Sequence, residues 1–220
     1  MVNKEAYQSI VKELATTGTS LVAVSKTKPI EDIMELYELG QRDFGENYVQ
    51  ELVDKKSLLP QDINWHFIGH LQSNKVKQII PFVYLIHGVD SYKLLEEINK
   101  QSLKSGLVVD CLLQVHIAEE ETKFGFDEKE LTYLFEEKLF ELKNIRIIGL
   151  MGMSTLTDDT HKIRYEFEKL KRLYDRYSVF KAINFKLSVI SMGMSGDYQI
   201  AIEEGSTMVR IGSLLFGKRD

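Results

Sequence analysis

Residues 21–40 read LVAVSKTKPIEDIMELYELG, a short apolar β-rich run that gives way, across two lysines and a proline, to a segment of helical period. The run LVAVSK (21–26) has the make-up of a strand, and IEDIMELYELG (30–40) that of a helix. Pro29 stands where the helix opens, a place at which a missing N–H costs little. Strand, loop and helix in this order make one βα unit.

The unit recurs along the chain. Further strand-like runs are RDFGEN (42–47), NWHFIGH (64–70), FVYLIHGV (82–89), VVDCLLQVH (108–116), IRIIGLMGM (145–153), KLSVISM (186–192) and TMVRIG (207–212). Helical stretches lie between them, among them YKLLEEINKQSLKSG (92–106), EKELTYLFEEKLF (128–140) and THKIRYEFEKLKRLYDRYS (160–178). Asp90 or Ser91 can cap the helix that starts at residue 92, and Gly40 and Gly106 sit where helices stop. Eight units predict an α/β fold, a single closed (β/α)8 barrel of the TIM type, preceded by an extra amphipathic helix within MVNKEAYQSIVKELATTG (1–18). An open doubly wound sheet is the alternative. Against it stand the count of eight and the lack of a G-x-G-x-x-G after the first strand. No Pro/Gly/Ser-rich linker or low-complexity tract divides the chain, so one domain over residues 1–220 is expected.

Composition excludes several function classes. With 44% hydrophobic and 28% charged residues in 220, the chain can bury a full core without staples. A net charge of −5 lacks the basic excess that general nucleic-acid binding relies on. No segment approaches the roughly 20 apolar residues that span a bilayer, and the N-terminal helix lacks the apolar core of a signal peptide. The single Cys111, inside VVDCLLQV, can form no internal disulfide and reads as a small buried apolar residue. A cytoplasmic protein is expected.

The chemistry gathers at two strand ends. If 21–26 is a strand, Val22, Val24 and Lys26 share a face, which brings the Lys26 amine to the end of the barrel where βα loops build active sites. Partial desolvation there lowers an amine's pKa and readies it to condense with a carbonyl. Snorkelling at a strand end is the plain alternative for Lys26; Lys28, before Pro29, reads as a solvated charge. At the far end, SVISMGMSGD (188–197) and STMVRIGS (206–213) put small residues after the seventh and eighth strands, where barrels hold phosphate. Simple N-capping is the competing role for Ser195 and Asp197. Arg210 alternates with Val209 and Ile211 and so points away from them; a salt bridge to a neighbouring carboxylate is its plain alternative. First and last strands adjoin in a closed barrel. Amine, guanidinium and phosphate amides would then meet in one pocket, fit for an aldehyde that carries a phosphate.

AVSKTKP (23–29), FGENYVQE (44–51), WHFIGHLQSNK (65–75), GLMGMS (149–154) and SMGMSGDYQIAIEEGSTMVRIGSLLFG (191–217) resemble the pyridoxal phosphate homeostasis proteins, in order and over nearly the whole chain. That resemblance implies a barrel similar to the N-terminal domain of alanine racemase that binds pyridoxal 5′-phosphate (PLP) without an established catalytic reaction and helps balance PLP and amino-acid pools. It implies Lys26 as the residue that takes PLP as a Schiff base and Arg210 facing the pyridine nitrogen. Ser191, Ser195, Gly212 and Ser213 would hold the phosphate, and Asn47 and Met151 would line the ring pocket. The stretch HIAEEETKFGF (116–126) is a loose version of the family's loop.

An arginine at the pyridine nitrogen favours the unprotonated ring, a poor electron sink. Alanine racemase adds a tyrosine base from a second domain of its partner subunit, and with this sequence ending at Asp220 no such domain is expected. A non-catalytic PLP carrier, monomeric and able to serve PLP-accepting enzymes, is therefore the expectation. The alternatives are a PLP-dependent enzyme, such as a minimal racemase or lyase using His70, His87 or His116 as base, and a Schiff-base aldolase. No metal is expected: His66 and His70, on a strand, would stand roughly 13 Å apart and could not share an ion.

Overall fold

The strand-like runs close on themselves. In the computed structural model, which describes residues 2–120, 124–180 and 182–217, α1 (Lys4–Thr17) precedes β1 (Ser20–Val24), α2 (Ile30–Glu38), β2 (Asp43–Glu46), α3 (Val49–Leu58) and β3 (Asn64–Phe67). Then come α4 (Val76–Ile79), β4 (Leu85–Val89), α5 (Tyr92–Ser105), β5 (Val109–Gln114), α6 (Glu128–Tyr133) and β6 (Ile145–Met151). The remaining elements are α7 (Thr160–Tyr177), β7 (Phe185–Ser191), α8 (Tyr198–Glu203), β8 (Met208–Ile211) and α9 (Ser213–Phe216). The sheet is a closed barrel in chain order, and β8 pairs in parallel with β1, Val22 opposite Arg210.

Strand alternation divides the core in two. Val22, Leu85, Leu112, Met151 and Met208 point inward and form a small apolar plug, while Leu21, Ala23, Phe44, Trp65 and Ile86 point outward to the helices. α1 presents Tyr7, Ile10 and Leu14 at helical spacing to the outer layer, where full burial stabilises by roughly 1.5–3 kcal/mol per large apolar side chain. Asn3 Oδ1 accepts from Ala6 N at 3.0 Å to start this helix, and Gly18, at φ 68, ends it. Ser91 Oγ caps α5, accepting from Leu94 N.

The expected helix over 128–140 changes pitch. α6 ends at Tyr133, and Leu134–Lys138 widens into a π-turn in which Leu139 N–H bonds Leu134 O. The reason is packing: Leu131, Leu134, Phe135 and Leu139 are all buried, and the wider turn keeps Leu139 on the apolar face. The burial of Cys111 is complete and pushes its thiol up, as its apolar run implied. The 116–126 stretch falls partly outside the described residues; around it, Val115 bridges Phe126 and Gln114 Nε2 donates to Phe124 O. Among the described residues no helix is long and apolar enough to cross a membrane.

Candidate functional site

A cavity of about 300 Å³ opens at the C-terminal end of the barrel. Val24, Lys26 and Lys28 line it from the β1 side, Asn47 and Ile68 from the β2 and β3 loops, and Met153 from beyond β6. Met194, Ser195, Gly196, Arg210, Gly212, Ser213 and Gly217 complete it. The size falls in the small-ligand range.

The β1 side departs from the expected strand. β1 stops at Val24, and Lys26 sits in a turn in which Lys28 N–H bonds Ser25 O at 3.0 Å and Thr27 adopts φ 64. Left-handed backbone is unfavourable for a β-branched residue, so the turn needs holding from outside. Two carboxylates do so on either side of Lys26. Ser25 Oγ donates to Glu46 Oε1 at 2.6 Å, and Thr27 N–H donates to Glu51 Oε1 at 2.6 Å. Lys55 Nζ joins them, 2.8 Å from Glu46 Oε1, 2.7 Å from Glu51 Oε1 and 2.8 Å from Ser25 O. Burial raises the Glu46 carboxyl above its ordinary range, against the pull of Lys55. Lys28 is half-buried and not the solvated charge expected, because its Nζ donates to Phe216 O at 2.8 Å beside the cavity.

The opposite wall is made of backbone. Gly212 N–H donates to Ser195 Oγ at 3.3 Å, which ties the β7 loop to the β8 loop. Asp197 holds the N-cap position of α8, yet its side chain does not cap the helix: Oδ1 accepts from Met194 N at 2.6 Å and Oδ2 from Ser154 Oγ at 2.7 Å. Among the described residues the N–H groups of Ser195, Gly196 and Ser213 donate to no protein acceptor. On the third side, Asn47 Oδ1 is buried with no hydrogen-bond partner among the described residues.

Arg210 forms part of the floor, 4% exposed. Its Nη1 donates to Ser191 O at 2.8 Å and Ser191 Oγ at 2.6 Å, and its Nη2 to Gly152 O at 3.1 Å. These acceptors are uncharged, so among the described residues the salt bridge that was the plain alternative is not what holds it; burial brings its pKa down to about 10.

Six of the eight expected site residues thus line one cavity: Lys26, Asn47, Ser195, Arg210, Gly212 and Ser213. Met151 and Ser191 do not. Met151 packs in the apolar plug, and Ser191 is wholly buried beneath Arg210. Sequence reasoning missed Ile68, Met153, Met194 and Gly196 as lining, and the Glu46–Lys55–Glu51 group altogether, although Glu51 and Lys55 stand at i, i+4. The histidines stay off the lining: His70 Nδ1 pairs with Asp90 Oδ2 at 2.8 Å and His116 Nε2 with Glu120 O at 3.0 Å. Among the described residues no three His, Cys, Asp or Glu side chains are grouped to hold a metal.

A closed parallel barrel with lysine, arginine and bare N–H groups at its C-terminal rim defines a class, and the family model described as alanine racemase, N-terminal domain, matches residues 4–220. An alanine racemase from Streptomyces coelicolor A3(2) shares the fold at 14% identity, TM-score 0.75, over 98% of this chain and 58% of that one. The match tightens within the class. A pyridoxal phosphate homeostasis protein of Aquifex aeolicus is 44% identical over 200 residues, 90% of this chain and 86% of the relative. The structure of PipY from Synechococcus elongatus PCC7942 with PLP bound superposes with TM-score 0.88 at 34% identity, covering 97% of this chain and 99% of that one. The chain belongs to the pyridoxal phosphate homeostasis protein family.

Proposed function

We propose that this barrel holds PLP in the C-terminal cavity and keeps it in reserve for the cell's PLP-using enzymes, without a dedicated reaction of its own. The observation that carries the proposal is the meeting, in one cavity, of the Lys26 amine, the Arg210 guanidinium and the three bare N–H groups. PLP supplies an aldehyde that condenses with amines, a phosphate dianion and a pyridine nitrogen. The residues fit each part. Lys26 offers the amine, on a turn clamped on both sides. Ser195, Gly196 and Ser213 offer backbone and hydroxyl donors to the phosphate, Gly212 N–H holds Ser195 Oγ beside them, and Asn47 brings an unsatisfied polar atom to the ring.

Arg210 would face the pyridine nitrogen and favour its unprotonated form, which withholds the electron sink that carbanion chemistry needs. Among the described lining residues no His, Tyr or carboxylate stands ready as a base. Ser191 and Met151 act one layer down, Ser191 by fixing Arg210 and Met151 by closing the floor. A monomeric, cytoplasmic carrier that hands PLP to acceptor enzymes fits this cavity.

One observation favours a second reading, a minimal PLP enzyme: Lys28 puts another amine in the cavity. The two separate by experiment. Purified protein given PLP should take on a visible absorbance band and bind PLP in equal amount, Lys26→Ala should lose the band, and amino acids should undergo no racemisation or elimination. A protein that stays colourless with PLP sinks the carrier reading, and steady turnover of an amino acid establishes the enzyme.

A further inference from the structure

A polar chain crosses the barrel interior beneath the cavity. Asp43 is the first residue of β2, at the barrel's N-terminal mouth, with its side chain 34% exposed. Its Oδ1 lies 2.9 Å from His66 Nε2 on β3, and His66 Nδ1 lies 2.9 Å from His87 Nε2 on β4. His87 Nδ1 is 3.2 Å from Ser191 Oγ on β7, and Ser191 Oγ accepts from Arg210 Nη1 on β8. His66, His87 and Ser191 are all at 0% exposure, sealed from bulk solvent.

The direction of every bond follows from chemistry. Arg210 can only donate, and among the described residues Ser191 Oγ has just one other partner, so the hydroxyl proton serves His87 Nδ1. Burial, with His66 and Arg210 close by, holds His87 far below the usual imidazole range, and its ring is neutral. A neutral ring accepting at Nδ1 carries its proton on Nε2 and gives it to His66 Nδ1. His66 then carries its own proton on Nε2 and donates to Asp43. All four bonds point from Arg210 toward the carboxylate.

We infer that Asp43, His66, His87 and Ser191 are positioning residues for Arg210: they fix the guanidinium at the cavity floor and link it to a carboxylate at the opposite mouth of the barrel. Among the described residues Arg210 otherwise bonds only backbone carbonyl oxygens, Ser191 O and Gly152 O. Hydrogen bonds aligned in one direction polarise each other, so the charge of Asp43 is felt across the interior. The inference rests on the PLP reading only in what Arg210 is positioned to meet.

The test has two arms on the full chain. Nitrogen NMR without PLP should show both His66 and His87 as neutral rings protonated at Nε2; protonation at Nδ1 of either ring overturns the chain. In Asp43→Ala, a change at a partly exposed site, the Arg210 guanidinium resonances should shift. The same variant should show an altered absorbance band with PLP and roughly tenfold weaker uptake, the effect of about one lost hydrogen bond to a charged group. Asp43→Asn keeps an acceptor oxygen and should recover most of that affinity. Unchanged Arg210 resonances in Asp43→Ala overturn the inference. If the wild-type chain takes up no PLP, the carrier reading falls, and the NMR results alone decide the positioning chain.

Discussion

The Nζ of Lys55 sits 2.8 Å from Glu46 Oε1, and both side chains are nearly sealed from solvent at 8% and 0% exposure. The pair underlies Lys26, because Glu46 and Lys55 grip Ser25, the residue before it. Lys55→Met removes the cation and leaves a buried carboxylate, an arrangement that costs on the order of 3–5 kcal/mol. Urea unfolding at neutral pH should show that loss, and Glu46→Gln with Lys55→Met should recover part of it. Equal stability of the single variant and the wild type would refute the clamp.

Lys28 gives a second expectation. Its bond to Phe216 O ties the cavity rim to the chain beyond β8. Lys28→Met keeps the aliphatic stem and loses the charge, so PLP should still colour the protein through Lys26 but be held a few-fold less tightly. Equilibrium dialysis reads the difference. Complete loss of the band would transfer the anchoring role to Lys28.

Gly196 offers a variant that leaves the fold alone. A Cβ there meets nothing within 4 Å, and the residue lies on the cavity lining. Gly196→Asp should therefore melt like the wild type while its carboxylate repels the phosphate, with PLP uptake down tenfold or more. Undiminished uptake would place the phosphate elsewhere.

Stability should depend on pH through His87. Its folded pKa is lowered, so between that value and the unfolded one near 6.5 the unfolded chain binds more protons. Acidification through this window destabilises the fold, by up to about 1.4 kcal/mol per pH unit for this one group. Glu46, raised in the folded state, acts in the opposite sense above its unfolded value. The groups facing His87 are His66, Ser191 and Arg210. Unfolding of wild type and His87→Asn at several pH values isolates the contribution: the variant's slope below about pH 6.5 should be shallower. Parallel slopes would count against a neutral buried His87.

LVAVSK and TMVRIG were legible because alternation and length are local properties, and their pairing follows from closure of eight strands. Depth along a strand is not local. Ser191 and Met151 stand on the right strands with inward side chains, but one layer below the cavity. The turn at Lys26 was hidden for a similar reason: Ser25 leaves the strand because Glu46, 21 residues away, takes its hydroxyl. Asp197 looked like a cap and holds the cap position, while its side chain turns back to Met194 and Ser154.

The pairing of β1 with β8 sets an order of assembly. Lys26 follows the first strand, and Arg210 belongs to the last, joined to it through Val22. During synthesis the amine emerges ahead of β2 through β7 and waits for all of them before its guanidinium neighbour arrives. The cavity that both residues line therefore exists only after β8 has docked on β1, so an assembled cavity reports that the barrel has closed.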